Sequence, residues 1–328
     1  MHKLEDNFVC PSCKGRLSQA AEVLSCPGCG KNCRKCRDVW DLRTVLSDSA
    51  TGWSAEAFDL AYEEYDGGVG FKDRRTYAAG EGIPIVADEY LESEKELVIK
   101  NFISDKKPSA LLDLGCGSGW FSFEMSECSP GTVIYGIDVS TYRTDLFRKQ
   151  IMSRNRQDKM ASAAANGENL PFPDAFFEVV VMDEVIEHLL EPGRTLKEAM
   201  RVLKPGGHLL ITTPSRFMTR FWKTAAIVPT FIKRLFKGET LSRQNTARLR
   251  EQLFSCHKIR RLVEDSGFET EKWKRVIFIP HESYLQFIPI FLLKIMIFIA
   301  RIIGKIPFLG FLGLHHFIIL KKIKQVRA

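Results

Sequence analysis

Residues 111–123 read LLDLGCGSGWFSF. An apolar run broken only by Asp113 meets three glycines at alternate positions, Gly115, Gly117 and Gly119, and resumes from Trp120 as an apolar, helix-compatible pattern. Strand, glycine turn and helix in that order build a nucleotide cradle. The glycines let the backbone close on a ligand, and the helix N-terminus turns free N–H groups towards it. The form of the turn narrows the ligand. A dinucleotide fingerprint is G-x-G-x-x-G, and its last glycine is replaced here by Trp120, whose indole stands where a diphosphate would have to come close. Asp138 ends the next apolar run, TVIYGIDVS, at the distance where an acidic residue takes ribose hydroxyls. The pattern asks for a ribose without a diphosphate.

From about Tyr90 onward, strand-like and helix-like segments alternate. ALLDLG, TVIYGIDVS, ASAAAN, FEVVVMDEV, HLLITTP, WKRVIFIP and HHFIILKKI read as strands, with helical stretches such as STYRTDLFRKQIMSR and GRTLKEAMRVL between them. Before the first strand, Tyr90, Glu94, Val98 and Phe102 lie on one helical spacing. This alternation predicts an α/β fold, a doubly wound and mostly parallel seven-stranded sheet. Gly206 and Gly207 read as a turn ahead of the fifth strand.

DLGCGSG followed by the acid of YGIDVS resembles the first two motifs of the class I S-adenosylmethionine-dependent methyltransferases. ENLPFPDAFFEVVVMDEVIEHL and LKEAMRVLKPGGHLLITTPS are similar to that family's later motifs, in order, so the resemblance runs from Ala110 to Pro214. It implies S-adenosylmethionine as cofactor and an antiparallel last strand. It also implies roles. Asp113 would orient the glycine loop, or alternatively cap the helix. Gly115, Gly117 and Gly119 would lie against the methionine part, and Asp138 would take both ribose hydroxyls. Asn166 stands where the family often has an aspartate; its amide carbonyl would accept from the adenine amine, with Gly167 donating its backbone N–H. Asp183 and Glu184 would border the transferring methyl. Any general base would be His188 or His281, each following a strand that ends at the ligand edge; His188 can equally be a structural histidine held by Glu187. His257, His315 and His316 have no placement that recommends them.

Two segments break the rhythm. RFMTRFWKTAAIVPTFIKRLFKG follows the fifth strand, and ESYLQFIPIFLLKIMIFIARIIGKIPFLGFLG separates the sixth from the seventh. Both leave the sheet at the edge where ligands bind. Between Phe287 and Ile303 the only charges are Lys294 and Arg301, and with Lys305 they share one stripe of a helix that is otherwise apolar. Such a helix suits lipid headgroups; a buried cap helix or a dimer seam is the alternative. A crossing helix would need ~20 apolar residues and would strand HHFIILKK away from its sheet. The chain's net charge of +7 fits this reading, because no acidic residue follows Glu282 while seven basic ones do. A diffuse nucleic-acid surface would spread its charge instead.

Six of the nine cysteines fall between Cys10 and Cys36. Cys10, Cys13, Cys26 and Cys29 form C-x2-C-x12-C-x2-C, the spacing of a zinc ribbon, and four thiolates leave no open position, so the zinc is structural. Cys33 and Cys36 read as spare thiols. This cysteine usage indicates a reducing compartment, and MHKLEDNFVC has no apolar signal region. The reading is therefore a zinc-ribbon module at 1–45, a linker and cap at 46–88, and a methyltransferase domain at 89–328 with insertions at 216–238 and 283–314. The protein is expected in the cytoplasm, peripheral on an anionic membrane surface, acting on a lipidic or lipid-linked acceptor such as a prenylated quinone precursor or a polyprenyl-linked saccharide. Two alternatives stand beside it: an rRNA or tRNA base methyltransferase that grips RNA with the ribbon, and a non-catalytic scaffold. Nucleic acid is the weaker partner, since the ribbon is not strongly basic. Oligomeric state is not legible.

Overall fold

The computed structural model describes residues 3–44, 47–48, 53–66, 83–225, 252–279, 285 and 288–323. At the front, β1 (Ser18–Ala20), β2 (Val23–Ser25), β3 (Asn32–Cys36) and β4 (Val39–Trp40) form a four-stranded antiparallel meander. A short pair follows, β5 (Ser47–Asp48) and β6 (Trp53–Ser54), and leads into α1 (Ala55–Asp66).

The main sheet has seven strands: β7 (Ala110–Leu114), β8 (Val133–Asp138), β9 (Met160–Ala164), β10 (Phe177–Asp183), β11 (Leu203–Pro214), β12 (Glu269–Val276) and β13 (His315–Lys321). Their spatial order is β12-β13-β11-β10-β7-β8-β9, and β13 runs antiparallel to both its neighbours. This is the doubly wound sheet with an antiparallel last strand that the sequence predicts. Strand period two sorts the apolar run of β10 onto both faces. Val180 and Met182 join one core with Leu112 and Ile137, while Val179 and Val181 join the other with Leu111 and Ile134. A parallel sheet buried on both sides needs such unbroken apolar strands.

The second of those faces is covered by α2 (Ile85–Glu94), α3 (Glu96–Lys106), α4 (Trp120–Cys128), α5 (Thr141–Ser153) and α9 (Ile290–Ile303). The first is covered by α6 (Pro192–Val202), α8 (Cys256–Asp265) and the cysteine module. Helix α7 (Arg216–Ala225) begins just after β11.

One local reading is corrected and another is placed more closely. The helical spacing from Tyr90 to Phe102 belongs to two helices, with a break at Lys95 (φ −118°, ψ −68°) that coincides with its ammonium reaching Asp183 (3.5 Å) and Glu184 (3.9 Å). The turn at Gly206 and Gly207 is present, but as an excursion inside β11, where residues 204–207 stand opposite Glu178 alone and pairing with β10 slips register. Gly206 sits there at φ +83° and donates its N–H to Lys322 O.

The cysteine module does not hang on a linker. Phe8 is buried against Tyr135 and Phe172 (ring centroids 6.4 and 5.5 Å), and Trp40 and Leu42 enter the same core as β8 and β9. The backbone joins too. Asp41 bridges Ala164 in parallel register, Leu42 N–H donates to Ala164 O (2.8 Å), and Val9 N–H donates to Pro171 O (3.0 Å). The segment after β4 thus covers the free edge of β9, which would otherwise present unpaired donors and acceptors. Lys14 pins the far side, its ammonium shared among Pro11 O, Leu170 O and Glu198.

One shared core predicts one unfolding unit. Phe8→Ala should cost about 3–5 kcal/mol, the usual loss for truncating a buried Phe. In urea titrations followed by tryptophan fluorescence and by far-ultraviolet circular dichroism, both probes should shift together. Separate transitions would mean that the module folds apart from the sheet.

Candidate functional site

The loop between β7 and α4 is fixed by what presses on it. Gly115 (φ +82°) and Gly119 (φ +85°) both have left-handed backbone; a Cβ would fall 2.2 Å from Val185 Cγ2 at the first and 2.0 Å from Phe147 at the second. Gly117 (φ +52°) has nothing within 4 Å on that side, so the middle of the loop presents open backbone. Asp113 is buried and accepts from the Ser122 hydroxyl in the first turn of α4, tying the strand end to the helix start. Burial pushes its carboxyl up to about 7, against the opposing pull of Ser122, and the neighbouring carboxylates Asp183 and Asp138 add to the rise.

Asp138 stands half-buried at the end of β8, accepting from Ser140 N–H (2.9 Å) and Gly117 N–H (3.0 Å). Burial raises its carboxyl above the ordinary range in spite of those two donors. Gly115, Asp138, Asn166, Gly167, Glu184 and His188 line one pocket, with Leu114, Ile137 and Val139 below and Phe58 and Tyr62 of α1 across it. Most of the residues singled out in the sequence therefore converge. Asp113 lies beneath the loop, and Asp183 stands beside Glu184, bonded to Thr212. His281 lies outside the described residues.

Asn166 differs from its expected role. Its Oδ1 accepts from Thr44 N–H at 2.7 Å, which a backbone donor can do only to the oxygen, so the amide orientation is fixed. The carbonyl is spent on the segment that follows the cysteine module. What remains, 2% exposed and without a partner among the described residues, is the Nδ2 donor. A buried donor left single costs free energy, and a ring nitrogen of a bound adenine would satisfy it. The residues fit an adenosine moiety: apolar walls, an aspartate at the ribose position and an orphaned donor at the base. Gly167 extends this wall, and its Cβ position is closed by Thr195.

Four residues here were not found from the sequence. Arg43 reaches Val139 O and bonds Asp41 and Asp59, and Asp59 caps α5 through Ser140, Thr141 and Tyr142 N–H. Lys95 and His315 meet Glu184. Glu184 holds a left-handed backbone (φ +56°), its N–H bonded to Thr212 and its Oε2 3.2 Å from His315 Nε2. Burial opposes ionisation of Glu184, but His315 and Lys95 outweigh it and hold the carboxyl below its usual range. His315 was passed over because nothing near it in sequence is catalytic; only the antiparallel return of β13 carries it to the carboxyl edge, opposite Pro214.

The four cysteines of the two C-x2-C pairs form a cluster whose sulfurs all lie within 4.8 Å of one another. Cys10–Cys29 and Cys13–Cys26 stand at 3.5 and 3.4 Å, close to the ~3.8 Å that tetrahedral Zn–S bonds of ~2.3 Å impose. The two knuckles have the same backbone: Cys10 N–H donates to Gly15 O and Cys26 N–H to Lys31 O, each at 2.8 Å. The donor set and its spacing fit a structural zinc. Cys33 is buried in the module's apolar core, and neither it nor Cys36 belongs to the cluster.

Residues 112–211 match the family described as "Methyltransferase domain". Over 123 residues the chain is 30% identical to a demethylmenaquinone methyltransferase of Symbiobacterium thermophilum, taking in 35% of this chain and 49% of that one. It is 27% identical over 173 residues to one from Tropheryma whipplei, covering 51% and 70% of the two chains. The chain thus spans about half the length of the first of these relatives. Among solved structures, a SAM-dependent methyltransferase of Thermotoga maritima, titled a possible histamine N-methyltransferase, superposes with a TM-score of 0.50 at 19% identity, covering 81% of this chain and 99% of that one. The domain built on the glycine loop is a class I S-adenosylmethionine-dependent methyltransferase domain. It carries at its N-terminal side a four-cysteine ribbon packed into the same core.

If the cluster holds zinc, the purified chain should carry one equivalent, and Cys26→Ser should lower that content sharply. Because the segment after β4 reaches Asn166, the same variant should also weaken S-adenosylmethionine binding, by roughly tenfold if one charge-free hydrogen bond of about 1–1.5 kcal/mol is lost at the base. Elemental analysis and calorimetry measure the two.

Proposed function

We propose that the protein is an S-adenosylmethionine-dependent methyltransferase working at a membrane surface on a lipophilic acceptor, of the prenylated quinone precursor or polyprenyl-linked saccharide type. The observation that carries this is α9. Only a narrow stripe of it, Leu293, Ile297 and Ala300, is buried, and it seats the helix against α2. The rest is apolar and faces outward: Phe291 and Phe298 are 69% and 66% exposed, with Ile290, Ile295, Ile299 and Ile302 beside them. Phe308 just beyond is 77% exposed. Lys294, Arg301 and Lys305 interrupt this face. So large an apolar patch studded with cations is a poor surface for water and a good one for the boundary between headgroups and acyl chains. No helix among the described residues is long and apolar enough to cross a membrane.

The names of the matched relatives support an acceptor of the quinone class. The RNA alternative loses ground because the ribbon's apolar face and Lys14 are taken up in packing on the methyltransferase domain.

In this reading Asp138 takes both ribose hydroxyls, exchanging the Gly117 donor for them, and Asn166 Nδ2 and Gly167 N–H read the base. Asp113 keeps the loop in register through Ser122. Bound S-adenosylmethionine supplies an already activated methyl. The chain's own work is then alignment, exclusion of water and, where the acceptor has a proton to lose, its removal. His188, lining the pocket near Glu184, is the proposed base, and His281 is the second candidate. Glu184, kept ionised by His315 and Lys95, fixes a negative charge where the cationic donor arrives. A four-cysteine zinc with no open position acts only on structure.

Two experiments test this. Asp138→Ala removes two charge-assisted hydrogen bonds worth about 1.5–3 kcal/mol each, so calorimetry should read S-adenosylmethionine affinity lowered at least a hundredfold; unchanged affinity would refute the cofactor assignment. In flotation, the wild type should rise with anionic vesicles and a Phe291→Ser/Phe298→Ser variant should stay below. A wild type indifferent to vesicles would remove the membrane reading.

A further inference from the structure

Apart from the cofactor pocket there is a second cleft, where the start of the first apolar–basic insertion meets the end of the second. Its floor is stitched by backbone. Ser215 N–H donates to Leu314 O (2.7 Å), Arg216 N–H donates to Phe254 O (3.2 Å), and Ser215 bridges Phe254 in parallel register. From this floor rise α7, the first turn of α8 and the end of β12. The cleft holds about 700 Å³. Arg216, Arg220 and Arg275 line it, Phe217, Phe221 and Phe254 form its apolar walls, and among the described residues no carboxylate lines it.

Among the described residues this charge is uncompensated. Arg216 and Arg220 stand one helical turn apart on α7, and neither has a bonding partner among the described residues. Arg275 is held rigidly between Phe311 O and Cys256 Sγ. The N-terminus of α8, ten residues long and capped by Ser255, opens into the same space and adds backbone N–H groups and the positive end of its dipole. Three guanidinium groups converging without an acid repel one another, and an anion with several acceptor oxygens relieves that repulsion. The fork geometry of arginine matches phosphate in particular.

The walls say what the anion is attached to. Phe217 and Phe221 are 60% and 52% exposed beside the arginines. Arg275 ties the cleft to Phe311, which lies in the turn that follows the exposed apolar helix α9. Anion site and lipid-facing surface are therefore continuous. We propose that this cleft binds a phosphate or diphosphate group esterified to a lipid, the head of the acceptor or of an anionic phospholipid, with the first part of the hydrocarbon against Phe217 and Phe221. The proposal rests on the membrane-surface reading above and adds to it the group that is recognised.

Calorimetry on the full chain with a short-chain prenyl diphosphate and with inorganic diphosphate tests it. The prenyl diphosphate should bind at least tenfold more tightly than inorganic diphosphate. Arg216→Gln/Arg220→Gln should weaken it at least tenfold while leaving S-adenosylmethionine binding intact, which also reports that the variant is folded. Unchanged prenyl diphosphate affinity in the double variant overturns the site, and equal affinity for the two diphosphates overturns the lipid part. Competition then identifies the source: displacement of the prenyl probe by phosphatidylglycerol vesicles assigns the cleft to phospholipid headgroups as well, and failure to displace it reserves the cleft for the acceptor. Arginine-dependent binding of the probe by a chain that ignores vesicles leaves the cleft standing and removes the membrane reading. Flotation without arginine-dependent binding does the reverse.

Discussion

Val185 and Phe147 occupy the space where Gly115 and Gly119 would otherwise carry a Cβ, and the rest of the site depends on that close approach. Phe147 also presses on Gly136 in β8, so one ring of α5 fixes the glycine loop against the strand that delivers Asp138. Val185 does the same from the strand that delivers Asp183 and Glu184. The ends of three strands are thereby held at one separation by two side chains, and the pocket between them exists before any ligand enters. Preorganisation of this kind removes ordering cost from binding.

The sheet was legible because it is buried on both faces. Apolar runs such as VVVM in β10 and LLIT in β11 can only be central strands, and the antiparallel β13 completes the order that the motifs imply. The glycine loop was legible because left-handed backbone at Gly115 and Gly119 leaves no other residue type. The cysteine pairs were legible because ligand spacing is local. What could not be read is what depends on long-range closure. Trp40 and Leu42 look like ordinary residues of a small ribbon until Asp41 pairs with β9. Asn166 looks like a weakened aspartate until Thr44 takes its oxygen. His315 has no sequence neighbour of interest, and the break at Lys95 has no glycine or proline to announce it.

These closures share a direction: they run into the pocket from parts of the chain outside the methyltransferase motifs. Thr44 and Arg43 come from the ribbon side, Phe58, Asp59 and Tyr62 from α1, Lys95 from the break between α2 and α3, and His315 from the last strand. Asp59 caps α5 through three donors, and α5 carries Phe147, so the cap helix bears on the glycine loop as well as on the pocket's rim. The motifs supply the chemistry expected of the family. The additions decide how polar, how closed and how charged the pocket is.

The charge distribution completes the argument. Glu184 faces Lys95 and His315, so the carboxylate nearest the proposed methyl site is compensated from inside the protein. On the outer surface the balance is different: Arg301 of α9 acts on Glu94 of α2, but among the described residues Arg216 and Arg220 of α7 have no such partner and sit beside exposed phenylalanines. Contiguous exposed apolar patches rimmed by polar groups mark sites of interaction with a partner, a ligand or a membrane. At Glu184 the charge is compensated from within, whereas the cleft beside α7 gathers arginines among exposed apolar rings. The proposed phosphate-bearing lipid joins, in one molecule, an anion for those arginines and a hydrocarbon for those rings.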